Sequence, residues 1–303
     1  MAVCNEQQSG PGTAEADREE RAAAGAAETD RMERAAAGTA ETEELYPARA
    51  DSTEPDSITP DRKEILRYLG YRGQTPDAVS AALIDSCVED LRRVIQPRSY
   101  TRIFPIAWGA RTAEDCVEIG IADMTIRSRS LTRNLKGCTR AALMAATIGI
   151  GPDRLIRRAE IANMAKAAVY QAASAAMVEA WCNQVNQRIA EEAYRKEGLY
   201  CRPRFSPGYG DVPLAHQKDF DRILELQKHV GIVLGTSLLM TPSKSVTAVI
   251  GMSPVGSSCV LAGCEACTLR ETCEFSRTQI SARQEAGAGE TAAARNERPG
   301  HGA

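Results

Sequence analysis

The spacing of apolar residues changes several times along the chain between a helical period and a strand period. In residues 76–95 an apolar side chain recurs at every fourth position, which predicts an amphipathic helix. Residues 99–108 and 117–126 alternate between apolar and polar side chains, and residues 141–150 form a continuous run of small apolar side chains typical of a buried strand. The apolar positions of the helical segment are Val79, Leu83, Cys87, Leu91 and Ile95.

The remaining pattern extends the same mixture of elements. Further helices are predicted at residues 62–69, 130–136, 153–187 and 213–228, and further strands at residues 230–239 and 246–252. Thr59 and Pro60 are typical of the N-cap and first turn of a helix. Gly149 and Gly151 lack the third glycine of a dinucleotide-binding loop, so we interpret them as part of a plain helix start. Helices and strands that alternate without regular βαβ units favour an α+β fold.

The two ends of the chain differ from the rest in composition. Residues 1–58 consist mainly of Ala, Glu, Gly, Thr and Arg, and residues 20–30 are nearly repeated at residues 33–43. Such segments bury too little apolar surface to offset the entropy lost on ordering. We therefore expect a disordered acidic tail at 1–58, a folded domain at 59–256, a four-cysteine segment at 257–277 and a second disordered tail at 278–303.

Charge is shared unevenly between these segments. Residues 1–59 hold 14 acidic and 5 basic side chains, a balance of −9, and the whole chain stands at −3, which leaves +6 for the remainder. A mildly basic domain suits an acidic protein or an anionic cofactor. Because no Lys/Arg cluster is interleaved with aromatic residues, we expect no nucleic-acid partner. No apolar run approaches the roughly 18 residues of a membrane span, so we expect a cytoplasmic protein with no membrane partner.

One segment concentrates residues of restricted use. It reads Arg204-Phe205-Ser206-Pro207-Gly208-Tyr209-Gly210-Asp211-Val212-Pro213-Leu214. Pro207 fixes its own φ and Gly208 permits a backbone conformation that a Cβ would forbid, so a tight turn is predicted. The ordinary interpretation is a structural β-turn before a helix. A functional interpretation is also open, because the turn would expose backbone polar groups beside a forked cation, Arg204, that suits a carboxylate.

Three segments together resemble the activation domain of cobalamin-dependent methionine synthase. The string Arg204-Phe205-Ser206-Pro207-Gly208-Tyr209 is similar to the R-x-A-P-G-Y motif of that family. Residues 240–247, Met-Thr-Pro-Ser-Lys-Ser-Val-Thr, are similar to its M-x-P-x-x-S-V-S/T segment, and Glu179-Ala180-Trp181 to its Glu-Ala-aromatic helix. The three occur in the family's order over roughly residues 60–255.

This resemblance implies a fold, an activity and partners. The fold would be a C-shaped domain with a twisted, mainly antiparallel sheet flanked by helices. The activity would be methyl transfer from S-adenosylmethionine (AdoMet) to a corrinoid carried by another protein, which reactivates cob(II)alamin by reductive methylation. The implied partners are a corrinoid-binding methyltransferase, above all methionine synthase, and an electron donor such as a flavodoxin or ferredoxin. The chain has no cobalamin-, folate- or homocysteine-binding module of its own, so it would act in trans.

The resemblance also implies a set of site residues. Arg204 would meet the carboxylate of AdoMet and Glu179 a positively charged group, while the backbone of Ser206 and Gly208 would contact the adenosine. Tyr209 would close the site and is the one candidate catalytic residue. Ser206 replaces the family's Ala, and the family's N-terminal ligand-binding Asp has no counterpart that can be aligned. Without the resemblance, Glu179 is an ordinary surface carboxylate on a helix.

Four cysteines follow the last predicted strand in a C-x4-C-x2-C-x5-C pattern. Thiolates at this density are typical of metal sites in cytoplasmic chains. The spacing favours an iron–sulfur cluster, with a structural zinc site and unliganded thiols as alternatives. The residues are Cys259, Cys264, Cys267 and Cys273. A second hypothesis therefore stands beside the AdoMet-dependent enzyme, namely a non-catalytic iron–sulfur or zinc module that docks to a corrinoid protein and transfers electrons.

Overall fold

A seven-stranded antiparallel sheet forms the centre of the described domain in a computed structural model that covers residues 46–71, 73–113 and 116–256. The strand order is β4-β3-β2-β5-β9-β6, and β1 pairs with β2 outside this path. β7 and β8 form a separate two-stranded ribbon. The strands are β1 (Arg49–Ser52), β2 (Arg98–Ala113), β3 (Cys116–Ile121), β4 (Met124–Arg127), β5 (Arg140–Thr147), β6 (Tyr200–Cys201), β7 (Val233–Leu234), β8 (Met240–Thr241) and β9 (Ser245–Ser253).

In the part of the chain that the structure describes, seven α-helices cover the two faces of this sheet. One face packs against the long helix α5 together with α1, α2 and α4, and the other against α3, α6 and α7. The α-helices are α1 (Arg62–Tyr68), α2 (Ala78–Arg92), α3 (Arg129–Leu135), α4 (Gly151–Ala162), α5 (Met164–Glu197), α6 (Gln217–Leu224) and α7 (Leu226–Val230). This arrangement confirms the α+β class with a mainly antiparallel sheet flanked by helices.

The small apolar run at the centre of the sequence becomes the central strand β5. It pairs antiparallel with β2 on one side and with β9 on the other, with Met144 opposite Ala248. Every residue of β5 after Arg140 is buried. Alternate residues of β9 face opposite layers, so Ala248 and Ile250 pack toward α5 while Val249 packs toward α6. Small side chains allow both helical layers to approach the sheet closely.

The single helix predicted at residues 153–187 is two helices. α4 ends at Ala162, and α5 runs from Met164 to Glu197. The break lies at Asn163, whose extended backbone (φ −161°) ends α4 and whose side chain accepts a 3.1 Å hydrogen bond from the Lys166 N–H. The apolar pattern runs through this position because both helices face the same core, so periodicity alone could not reveal the cap.

Two other predicted elements are also interrupted. The strand predicted at residues 117–126 is the hairpin β3–β4, which turns at Ala122 with φ +54°. The helix predicted at residues 213–228 is a 3-10 turn followed by α6 and α7, which separate at Glu225 with φ +45°. Neither Ala nor Glu is a usual turn residue, which explains why the sequence pattern did not mark these breaks.

Ordered structure begins before residue 59, where the sequence analysis placed the domain boundary. β1 pairs with β2 through residues 49–52, although it is mostly exposed. Two large apolar side chains flank it, since Tyr46 is 4% exposed and Ile58 is fully buried. The buried side chains of Tyr46 and Ile58 therefore hold β1 in place, although the polar composition of β1 does not itself predict a strand. Among the described residues no helix is long and apolar enough to cross a membrane.

Candidate functional site

Arg204 lies where the chain leaves the edge of the sheet through an irregular pairing. Arg202 donates its N–H to the Gly251 carbonyl at 2.8 Å, and Phe205 exchanges two hydrogen bonds of 2.9 and 2.8 Å with Val249. Two residues, Pro203 and Arg204, are thus placed opposite the single residue Ile250, which is the definition of a β-bulge. The bulge leaves the Phe205 side chain on the α6 layer and the Arg204 side chain on the α5 layer.

On that layer Arg204 meets two polar residues of α5. Its guanidinium donates to the Glu179 carboxylate at 2.9 Å and to the Asn183 side-chain oxygen at 2.8 Å. Arg204 is 19% exposed and Glu179 is 48% exposed, so the ion pair is open to solvent on one side. Glu179 and Asn183 are one helical turn apart and therefore share a face of α5. The structure brings together these two sequence-predicted residues, and Asn183 is a partner that the sequence analysis missed.

A buried thiol lies beside this pair. Cys182 follows Glu179 by three residues and is fully buried. Burial raises its pKa to about 12, against an opposing effect of the Arg204 charge. The thiol is therefore neutral at physiological pH and serves as packing rather than as a nucleophile.

Residues 206–209, which follow Arg204 and Phe205 in the chain, form the predicted tight turn. The Tyr209 N–H donates to the Ser206 carbonyl at 3.1 Å, with Pro207 and Gly208 as the central residues. Gly208 has φ +89°, which a type II turn requires at this position and which a side chain would strain. Pro207 is buried, whereas Gly208 is exposed and Tyr209 is 65% exposed. The turn thus presents its glycine and its tyrosine at the surface.

Asp211, to which the sequence analysis assigned no role, fastens this turn to the N-terminus of α3. Its carboxylate accepts hydrogen bonds from the Ser128 hydroxyl (2.5 Å), the Arg129 N–H (2.7 Å) and the Ser130 N–H (3.0 Å). Burial alone would raise the pKa of Asp211, but these hydrogen bonds outweigh it and hold the pKa well below its usual range. The sequence shows only that an Asp follows the turn. Its hydrogen-bond partners lie 81 to 83 residues earlier in the chain, so no local pattern could identify them.

The third sequence segment lies at the start of β9. Lys244 donates to the Gln171 side-chain oxygen at 2.5 Å, and the Ser243 N–H donates to Asp153 at 2.8 Å. Burial lowers the pKa of Lys244, against the opposing charge of Asp153. Gln171 precedes Glu179 by two turns on the same face of α5, a separation of about 12 Å along the helix axis. One face of α5 therefore receives both Arg204 and Lys244.

The outer edge of β9, from Lys244 to the pair formed by Phe205 and Val249, carries no paired strand among the described residues. Val249 uses its N–H and C=O toward Phe205, so the backbone groups of Thr247, two residues earlier, point toward the same edge. Phe205 is the last residue that pairs there, because the chain turns away at Ser206. Backbone donors and acceptors thus lie next to the turn. A pocket in the described part of the chain lies elsewhere, lined by Arg49, Arg188, Glu191, Glu192 and Arg195.

The arrangement suits a small zwitterion. A guanidinium and a carboxylate joined at 2.9 Å can separate to bind a carboxylate and an ammonium of one amino-acid group. A stacking or hydrogen-bonding tyrosine and exposed backbone groups lie within the adjacent turn. The four cysteines Cys259, Cys264, Cys267 and Cys273 lie outside the described residues. Within those residues no three His, Cys, Asp or Glu side chains are grouped to hold a metal ion.

Comparison with known proteins identifies the fold. No protein-family model matches the chain, and no curated protein matches its sequence significantly. Among solved structures, the crystal structure of the MetH reactivation domain bound to AdoHcy matches with a TM-score of 0.54 and 16% sequence identity. The match covers 77% of this chain and 87% of that one. The protein therefore has the fold of the MetH reactivation domain.

Proposed function

We propose that this protein binds AdoMet at the Glu179–Arg204 pair and uses it to reactivate a corrinoid-dependent methyltransferase, above all cobalamin-dependent methionine synthase. This proposal rests on one observation. Two of the segments that resemble the family are far apart in the chain but adjacent in the fold, where Arg204 lies 2.9 Å from Glu179. The shared fold supports it, because the MetH reactivation domain with that fold was crystallised with AdoHcy.

Each site residue then has a distinct part. Arg204 binds the carboxylate of the methionine group, and Glu179 binds its ammonium. The turn contributes the backbone of Ser206 and Gly208 to the adenosine, and Tyr209 covers the opening as the candidate catalytic residue. The residues present fit this ligand, because the ion pair is half open and its two charges match those of the amino-acid group.

The reaction needs little covalent chemistry from the chain itself. AdoMet supplies an electrophilic methyl group to the cobalamin, and a donor such as a flavodoxin or ferredoxin supplies one electron to it. Cob(II)alamin on the partner thereby becomes methylcob(III)alamin, and AdoHcy is released. The chain contributes by holding the methyl donor in position over the partner, which is catalysis by orientation. We assign Cys259, Cys264, Cys267 and Cys273 to an iron–sulfur cluster on the electron route, with zinc as the alternative.

The ligand site is tested by calorimetric titration of the purified protein with AdoHcy. We expect micromolar binding to the wild type and at least 10-fold weaker binding to Arg204→Ala. Arg140→Ala is the matched control, because Arg140 is also 19% exposed and pairs with a helical carboxylate, Glu197, at 3.0 Å. Arg140 lies outside the proposed site, so its variant should bind AdoHcy as the wild type does.

Three results would separate the hypotheses. Loss of binding in Arg204→Ala alone supports the site. Equal binding in the wild type and Arg204→Ala would place the ligand elsewhere. If the wild type does not bind AdoHcy but absorbs visible light as an iron–sulfur protein, the electron-transfer module becomes the better account and the methyl-transfer function is wrong.

A further inference from the structure

The backbone of the turn that presents Gly208 and Tyr209 forms several hydrogen bonds within the segment. The Gly208 N–H donates to the Val212 carbonyl at 3.0 Å, and the Val212 N–H donates to the Tyr209 carbonyl at 3.1 Å. Together with the Ser206–Tyr209 bond these form two consecutive turns. Bonds of this kind do not set the place of the segment on the protein, because both partners belong to the segment, and in a short exposed segment they open readily unless contacts with other elements hold it.

Three anchors hold the segment in place. Phe205 pairs with Val249 at its beginning, and Val212, which is 5% exposed, enters the core beside α6 at its end. Between them the residues from Gly208 to Asp211 are all exposed. The Asp211 carboxylate is a polar anchor of this exposed part, because it accepts three hydrogen bonds from Ser128, Arg129 and Ser130.

The contact with α3 is close as well as polar. A Cβ added to Gly210 would lie 2.7 Å from the Ser130 hydroxyl oxygen, closer than side chains pack, and Gly210 has φ +55°. The turn is therefore pressed against the first residues of α3. Ser128 extends this connection, because its hydroxyl donates to Asp211 and accepts from the Leu131 N–H at 3.0 Å. Leu131 is buried in the core, so the carboxylate is linked to a rigid element.

We propose that Asp211 is a positioning residue for the ligand site, which fixes the Gly208–Tyr209 turn relative to Arg204 by fastening it to the N-terminus of α3. This inference rests on the proposed function, since it names what keeps the adenosine-contacting turn in register with the carboxylate-binding arginine. Asp211 itself does not touch the ligand. Its effect passes through the backbone of Gly208 and Tyr209.

The test compares Asp211→Ala with a matched cap removal elsewhere. Asp77 caps α2 by accepting the Ser80 N–H at 2.7 Å, so Asp77→Ala also removes a helix cap and should lower the melting temperature without touching the site. AdoHcy titrations should show at least 10-fold weaker binding for Asp211→Ala and a change below about twofold for Asp77→Ala. Asp211→Asn keeps acceptor oxygen but loses the charge, and should fall between Asp211→Ala and the wild type.

A second readout needs no ligand. Amide hydrogen exchange at Gly208 and Val212 reports the two hydrogen bonds inside the turn, and it should accelerate at least 10-fold in Asp211→Ala but not in Asp77→Ala. Unchanged exchange at these amides, or wild-type AdoHcy affinity in Asp211→Ala, would overturn the positioning role. A wild type that does not bind AdoHcy would instead refute the proposed function, and the exchange comparison would still decide whether Asp211 orders the turn.

Discussion

Arg204 owes its position beside Glu179 to one extra residue at the edge of the sheet. The bulge opposite Ile250 directs the arginine onto the α5 layer, where it meets Glu179 and Asn183. The sequence resemblance predicted Arg204 and Glu179 as site residues without this geometry. It could not identify Asn183 or Asp211, because each contact joins residues far apart in the chain through backbone positions that only the folded sheet defines.

A ligand that lacks the amino-acid group distinguishes the parts of the site. Glu179→Gln should weaken AdoHcy binding about 10-fold, since the amide cannot balance the ammonium charge, whereas 5′-methylthioadenosine should bind this variant and the wild type equally. Calorimetry with both ligands measures the difference. The fold should be unaffected, because a half-exposed ion pair contributes about 0–1 kcal/mol to stability. Equal losses for both ligands would show that Glu179 contacts the adenosine instead.

At the scale of elements, the helices were predicted better than their ends. Periodicity identified α1, α2 and the α4–α5 region, because their apolar stripes face one core. It did not identify the break at Asn163, whose extended backbone and side-chain cap interrupt a continuous apolar stripe, or the reversals at Ala122 and Glu225, where non-glycine residues have positive φ. α3 is a short helix whose first turn depends on a carboxylate from another segment, which a local pattern cannot reveal.

The capping of α3 predicts a pH dependence of stability. The pKa of Asp211 lies below its ordinary value of 3.8, so the folded state favours the charged form. The stabilisation is then complete above about pH 4 and is lost as the pH falls through the folded-state pKa. The difference in melting temperature between the wild type and Asp211→Asn should therefore be constant from pH 7 to pH 5 and shrink below pH 4. A difference that grows on acidification would contradict this assignment.

At the scale of the whole molecule, the sheet divides two cores, and the described segment 46–58 contributes Ile58 to one of them. Ile58 is fully buried in the core beneath α5, although the surrounding sequence is polar. The average composition of residues 1–58 predicted disorder throughout, because it does not reveal two single apolar residues, Tyr46 and Ile58, that are buried. The four-cysteine segment is beyond the described residues, so its metal stays a prediction.

Truncation of the anchor provides a stability test. Ile58→Ala should lower the free energy of unfolding by about 3 kcal/mol, since it leaves a cavity in the core. Ile161→Ala is the control, because Ile161 is 91% exposed and its truncation should change stability by less than about 0.5 kcal/mol. Urea denaturation followed by circular dichroism measures both. Equal effects of the two substitutions would show that residues before 59 do not share the core.

Methyl transfer from AdoMet to a corrinoid on another protein is the activity proposed for this chain. The most direct measurement is anaerobic absorption spectroscopy of cob(II)alamin bound to a methionine synthase without its own reactivation domain, in the presence of AdoMet and titanium(III) citrate. With this protein added, we predict conversion of the cob(II)alamin spectrum to that of methylcobalamin, and at least 10-fold slower conversion with Arg204→Ala. Identical spectra with and without the wild-type protein would contradict the proposed function.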